Sequence, residues 1–424
     1  MKILVLTLNA WNESNSTGNT VSNLFSGLSD KDEVANIYCR DEPIDNSVCE
    51  RYFKLTEKEI LSNLFTPWRC GKVINKEDCI NSLRLQTSAR SKAFVNFGRH
   101  HTSLFLLREL IWSISIWKNK NLRHYLKSFA PDCIYMHGHY NLYMHKILSY
   151  CEKVTKAKVV LFWGDDMYGR KTNKPLGFLY ETLLRKRFAK SINSASLLFG
   201  GSLKLCEEYS ALFNKKFVPF FKECKQIKYD ATRVINNPIT IVYAGNLLFG
   251  RERIMIELVR AIDKVNQRGL SHQLKLKVFS NTSPSTDSLA YLDDRKNSWF
   301  MGRKPYSDVC VQMDQSDLVL FIESFNKRDI LSTRLSFSTK IIDCMQSSAG
   351  ILAIGPSEIA SMDYIVKFKL GYTITSIDEM ESKLAYLADH PDIINDMNKN
   401  KDEFAKKYHT NTSVKALNEI RKLI

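Results

Sequence analysis

Short apolar runs alternate with segments whose apolar residues recur at helical spacing along most of this 424-residue chain. Alternation of this kind marks βα units, in which crossover helices cover a mostly parallel sheet. In the first half it predicts strands over residues 2–8, 34–39, 133–136, 159–163 and 197–200. Helices are expected between them over 20–28, 104–129 and 174–192, and an irregular stretch over 66–98 reads as a mobile loop. The second half restarts the pattern with a strand over 239–244, a helix over 252–267, and strands over 274–279, 299–301, 318–322 and 351–354. A polar helix over 412–424 ends the chain.

The restart implies two α/β domains. A hydrophilic segment over 222–238, ending at Pro238, reads as the linker between residues 1–221 and 239–410, with 411–424 as a terminal helix. Two parallel sheets of similar size are expected to face a central cleft. Ligands of such sheets bind outside the carboxyl ends of the strands, so the informative residues lie just after each apolar run.

Charge and cysteine content narrow the function. The net charge is +16, a field that attracts phosphates of nucleic acid, anionic lipid or a nucleotide diphosphate. Lys and Arg are spread along the chain, and no helix-turn-helix, zinc finger or RNA-recognition aromatic motif accompanies them, so no nucleic-acid partner is expected. The ten cysteines form no CxxC pair and no zinc-spaced cluster, which fits free thiols in a reducing cytosol. The opening MKILVLTLNAW reads as a first buried strand rather than a signal peptide, and no apolar run is long enough to span a membrane.

Several strand ends carry candidate chemistry. After the first come Ser16-Thr17-Gly18-Asn19-Thr20, either a capped turn or a glycine that lets a backbone approach a helix N-terminus. His137-Gly138-His139 follows the third; with no third ligand evident, these histidines read as polar groups lining the cleft rather than metal ligands. Trp163-Gly164-Asp165-Asp166 puts two carboxylates at a strand end, with a helix cap as the plainer alternative for one of them. In the second half, Tyr243-Ala244-Gly245-Asn246 leads to Gly250-Arg251. A guanidinium at a helix start suits a diphosphate, though ion pairing within the helix is the competing reading. Glu323-Ser324-Phe325 follows the strand over 318–322. Ser338-Thr339-Lys340 then suits a phosphate, and Glu323 and Asp343 suit sugar or ribose hydroxyls.

These residues together resemble the retaining glycosyltransferases of family 4, which have the GT-B architecture of two Rossmann-like domains with parallel sheets facing a central cleft. The likeness covers most of the chain and is strongest over 239–355. Tyr243-Ala244-Gly245 with Arg251, Glu323-Ser324-Phe325, Ser338-Thr339-Lys340 and Asp343-Cys344-Met345 match the family's second-domain elements, and Trp163-Gly164-Asp165-Asp166 resembles its Trp-Gly-Ser-Asp. The resemblance implies that residues 1–221 bind the acceptor and 239–410 the nucleotide sugar, and that the terminal helix returns to the first domain. It also implies that Glu323 faces the donor sugar, Asp343 the ribose, Arg251 and Lys340 the diphosphate, and Asp166 the transferred sugar, with Gly18 flanking the reaction centre. Gly245, Ser338 and Thr339 complete the donor set, and His137, His139 and Asp165 stand on the acceptor side. The family's lysine shortly after the arginine is absent, and Lys340 is the replacement. The spacing between the two acids is stretched by residues 326–335, and the second acid is Asp rather than Glu.

The expected activity is transfer of a sugar, with retention, from a nucleotide-diphosphate sugar to a glycan or lipid-linked glycan in cell-surface polysaccharide assembly. No cofactor and no metal are expected. The protein is placed in the cytoplasm, at the inner face of the plasma membrane, in peripheral contact with anionic lipid. That contact would come from the loop over 66–99 or from a basic amphipathic helix over 104–126, for which a core helix is the alternative reading. The competing functions are a GT-B-type sugar-nucleotide epimerase, which would release rearranged donor without transfer, and a basic nucleic-acid- or membrane-binding protein.

Overall fold

The computed structural model describes residues 1–63, 70–76, 102–169, 175–228 and 233–424. It divides into two compact units. Met1–Gly201, Leu205–Phe220 and Thr412–Ile424 form unit one; Ser202–Lys204 and Phe221–Asn411 form unit two.

Unit one is built on eight strands: β1 (Lys2–Asn9), β2 (Glu33–Arg40), β3 (Arg51–Lys54), β4 (Lys72–Ile74), β5 (Cys133–His137), β6 (Lys158–Trp163), β7 (Leu197–Gly200) and β8 (Phe217–Pro219). Their order is β4-β3-β2-β1-β5-β6-β7-β8, parallel throughout except for the antiparallel edge pair β3–β4. β1 lies between β2 and β5, with Val5 opposite Asn36 on one side and Tyr135 on the other. The strand order turns around between β1 and β5, the kind of position at which open α/β sheets bind ligands. Strands β3, β4 and β8 are only three or four residues long, too short for an apolar run to announce them.

The single helix expected over 104–129 is two helices, Thr102–Ile114 and Lys120–Phe129. The break has a local cause. Trp117 is buried in the connection and its indole N–H donates to the Trp112 carbonyl at 2.9 Å. Asn119 then caps the second helix, accepting from the Leu122 N–H at 3.0 Å. The terminal helix Thr412–Arg421 packs on the helix Ser16–Phe25: the Ser413 hydroxyl donates to the Leu24 carbonyl at 2.8 Å and accepts from the Gly27 N–H at 2.9 Å. Ala416, Leu417 and Ile420 enter the same core as Val21, Leu24 and Phe25.

Unit two carries β9 (Ile239–Ala244), β10 (Leu274–Phe279), β11 (Ser298–Gly302), β12 (Leu318–Ile322), β13 (Gly350–Ile354) and β14 (Tyr372–Ile374), in the all-parallel order β11-β10-β9-β12-β13-β14. Here the order turns around between β9 and β12. The segment after Phe220 lies on this unit: Phe221 packs against Phe337 and Tyr364, and Cys224 is buried with its N–H donating to the His409 carbonyl at 2.8 Å. Residues 229–232 of the expected linker, and most of the expected mobile loop over 66–98, lie outside the described residues. Among the described residues the cysteines are free, and no helix is long and apolar enough to cross a membrane.

Candidate functional site

Of the expected donor residues, Gly245, Lys340 and Asp343 come together at the switch point of unit two. β9 ends at Ala244 and the chain turns through Gly245 and Asn246. Lys340, the first residue of the helix Lys340–Gln346, reaches this turn: its Nζ lies 3.5 Å from the Tyr243 hydroxyl and 5.3 Å from the centre of that ring. A Cβ on Gly245 would overlap the Lys340 ammonium, so the glycine leaves room for the cation. Among the described residues no carboxylate pairs with Lys340. Burial, reinforced by the neighbouring Arg251, lowers its pKa to about 8 against the pull of Glu323.

Asp343 follows three residues later, on the same helix face. Its Oδ1 accepts from the Tyr306 hydroxyl at 3.2 Å and lies 3.7 Å from the Lys222 ammonium. Burial raises its pKa, and Lys222 opposes the rise. Lys340 and Asp343 line a cavity of about 740 Å³ together with Gly245, Asn246, Ser280 and Arg303. A cation and a carboxylate on one helix face suit a ligand with an anionic part next to hydroxyls.

Arg251 and Glu323 are joined to each other. Arg251 Nη2 donates to both carboxylate oxygens at 3.0 and 2.9 Å, Nε donates to the Ile322 carbonyl at 3.1 Å, and Nη1 to Asn246 Oδ1 at 3.0 Å. Both side chains are buried. All three guanidinium nitrogens are therefore engaged by the protein. Neither residue is among those lining the cavity. Burial raises the Glu323 pKa while Arg251 lowers it. Ser338 and Thr339 also lie outside the lining. The Ser338 N–H donates to the Ser361 hydroxyl at 2.9 Å, and Thr339 starts the Lys340 helix without a side-chain capping bond.

Residues not singled out by the sequence complete the cavity. Ser280-Asn281 and Arg303-Lys304 follow β10 and β11, so the strand-end rule applied to those two strands would have found them. Tyr306 and Lys222 reach Asp343 from an interstrand helix and from the segment after Phe220, and no sequence signal connects them to it.

Unit one uses its flagged residues differently. The Gly18 N–H donates to the Asn15 side chain at 2.8 Å, and a Cβ there would overlap the Asn12 carbonyl, so Gly18 seats a capped helix against the preceding loop. Gly138 leaves room for the Trp163 ring. Asp166 accepts from the Gly169 N–H at 2.8 Å and from the Tyr209 hydroxyl at 3.0 Å, holding the turn after β6, whereas Asp165 is exposed. Burial lowers the pKa of His137 to about 4 and that of His139 to about 3, so both are neutral near pH 7. Their Nε2 atoms, the Tyr135 hydroxyl and the Trp163 indole nitrogen are buried without a hydrogen-bond partner among the described residues. Among the described residues no group of three or more His, Cys, Asp or Glu side chains is placed to hold a metal ion.

No protein-family model matches this chain, and no curated protein sequence matches it. Solved structures do. Sucrose-phosphate synthase from Thermosynechococcus elongatus matches with a TM-score of 0.62 at 13% identity, covering 100% of this chain and 98% of that one. HepE from Anabaena in complex with UDP matches with a TM-score of 0.58 at 10% identity, over 100% and 99%. The lipopolysaccharide outer core galactosyltransferase WaaB matches with a TM-score of 0.56 at 13% identity, over 99% and 98%. These neighbours are GT-B glycosyltransferases, and the chain has their fold: two α/β domains, one on a mostly parallel and one on an all-parallel sheet.

Proposed function

We propose that the protein is a glycosyltransferase that takes a sugar from a nucleotide-diphosphate donor held in the cavity of unit two. The observation that carries this reading is the Lys340 ammonium, set without a carboxylate partner at the cavity wall with Asp343 one turn along the same helix. HepE bound to UDP-glucose, and the trehalose-6-phosphate structure from E. coli bound with UDP-2-fluoro glucose, share this fold, which makes uridine diphosphate the first nucleotide to try.

In the proposed reaction the bond between the anomeric carbon and the β-phosphate oxygen breaks, and its electron pair leaves with the phosphate. The acceptor hydroxyl oxygen bonds to the anomeric carbon and its proton passes to the leaving phosphate. Lys340 stabilises the charge that grows on that phosphate, with the buried Arg251 guanidinium adding to the positive field, so the protein rather than a metal supplies the positive charge. Asp343 accepts from the ribose hydroxyls. Glu323, oriented by Arg251, faces the sugar. The resemblance to family 4 supports retention. Unit one binds the acceptor, with His137, His139 and Asp165 as its polar contacts and Asp166 fixing the turn that presents Asp165. The acceptor is a glycan or lipid-linked glycan of cell-surface polysaccharide, met at the inner face of an anionic plasma membrane.

Calorimetric titration with UDP and with UDP-glucose tests the assignment. Asp343→Asn is expected to weaken both ligands together, since both carry ribose. Glu323→Gln is expected to impair transfer from the intact donor more than binding of UDP. A well-folded pair of variants with wild-type binding and transfer contradicts the assignment, and release of a rearranged sugar nucleotide without transfer points to the epimerase instead.

A further inference from the structure

The exposed apolar side chains of unit one include two sets on neighbouring helices. On the helix Thr102–Ile114, Leu107, Leu110 and Ile114 follow one face and are 52%, 56% and 60% exposed. On the helix Gly177–Ser194, Phe178, Leu179 and Leu183 are 79%, 49% and 41% exposed. Between the helices runs a groove of about 530 Å³, with Leu106, Leu110, Leu142 and Leu183 in its lining. Its remaining wall is basic: Lys146, Lys186, Arg187 and Lys190. The one acid in the lining, Glu109, is buried beside Arg108 at 3.4 Å and leaves the outward field positive.

We infer that this face of unit one docks on the headgroup and upper acyl region of an anionic phospholipid bilayer. The surface differs from the amphipathic helix expected over 104–126. Trp117 is buried, Arg108 is engaged by Glu109 and Asn141, and the cations come from Lys146 and from the far end of the Gly177–Ser194 helix. Apolar side chains as exposed as Phe178 gain by entering the acyl boundary, and a basic rim gains at an anionic headgroup layer. Charge argues against the other occupants. A second copy seated symmetrically on this face would oppose four cations to four, and a nucleic-acid backbone would leave the six apolar side chains against phosphates. The inference rests on the proposed membrane contact and is independent of the transfer chemistry.

The test is co-sedimentation of the full chain with phosphatidylcholine vesicles, with and without phosphatidylglycerol. The protein is expected to pellet with the phosphatidylglycerol vesicles and to be released by salt. Lys186→Glu/Arg187→Glu/Lys190→Glu should weaken binding on the order of a hundredfold, and Phe178→Ser/Leu179→Ser should weaken it at every salt concentration. Both variants should keep the wild-type melting temperature and UDP affinity. If both bind vesicles as the wild type does, this surface is wrong and another part of the protein meets the membrane. If the wild type does not pellet, the membrane contact itself is overturned while the donor reading stands. If either variant instead abolishes a dimer present without vesicles, a second copy is the occupant and the inference fails.

Discussion

The ends of the central strands do opposite work in the two units. In unit two, Gly245 at the end of β9 clears space for the Lys340 ammonium, which pairs with no carboxylate among the described residues, and Asp343 lines the same cavity. In unit one the corresponding glycines and one of the acids serve the protein itself. Gly18 seats a helix on Asn12, Gly138 seats Trp163, and Asp166 holds Gly169 and Tyr209. Among the described residues, the groups of β5, β6 and the turn after β5 that are buried without a hydrogen-bond partner are neutral: the Nε2 atoms of His137 and His139, the Tyr135 hydroxyl and the Trp163 indole. Buried neutral groups without partners suit hydroxyl-rich ligands, whereas an unpaired buried cation suits an anion. Comparable strand ends thus present different polar groups.

The largest expected consequence is in acid. Burial lowers the pKa of His137 and His145 to about 4 and of His139 to about 3. For a group with a depressed folded pKa, the stability is fully present above the unfolded value of about 6.5 and is lost as pH falls through the folded one. Each well-buried imidazole amounts to roughly 3–5 kcal/mol at the acid end. Amide exchange should therefore show β5 and β6 of unit one losing protection below about pH 6 before β9 and β12 of unit two. Simultaneous loss in both units would remove this contrast.

The next effect belongs to the Arg251–Glu323 pair. Removing one member of a buried pair leaves the other charge uncompensated, so Arg251→Ala should cost about 3–5 kcal/mol in stability. The double variant Arg251→Met/Glu323→Leu should recover much of that loss while still failing in transfer. A melting temperature unchanged in Arg251→Ala would show that the guanidinium is free for ligand rather than committed to Glu323.

A smaller effect sharpens the role of Gly245. Gly245→Ala changes no charge but forces the Lys340 ammonium from its place. It should weaken nucleoside diphosphate binding about tenfold, a fraction of the roughly 1.5–3 kcal/mol a charge-assisted bond supplies. Wild-type affinity in this variant would mean that the position of Lys340 does not matter.

Much of the fold was legible because apolar runs such as Cys133–Met136 and Leu318–Ile322 are buried on both faces of parallel sheets. Strands β3, β4, β8 and β14 are too short for that signal. The break at Trp117–Asn119 was hidden because an indole turned inward and an asparagine cap do not disturb helical periodicity strongly. For the candidate site, the strand-end rule pointed to Gly245, and the helix start at Ser338-Thr339-Lys340 to Lys340 and Asp343. It could not show that Arg251 and Glu323 face each other, because residues 72 apart in sequence are brought together only by the neighbouring strands β9 and β12. Lys222 escaped for the same reason, since its partner lies on a distant helix.

The central claim is that Lys340 is the cation that meets the donor diphosphate. Calorimetric titration of a nucleoside diphosphate into wild type and Lys340→Met, from neutral pH to well above the Lys340 pKa of about 8, tests it directly. A bound anion raises that pKa, so wild-type binding should take up a proton above pH 8 and weaken as pH rises. Lys340→Met should bind about 10- to 100-fold more weakly at neutral pH, the loss of one charge-assisted contact, and lack that pH dependence. Its ligand-free form should melt higher at neutral pH. A lysine with a depressed pKa contributes stability that is lost as pH falls through the folded value, and its removal relieves that loss. Equal affinity and an identical pH profile in the two proteins would contradict the account.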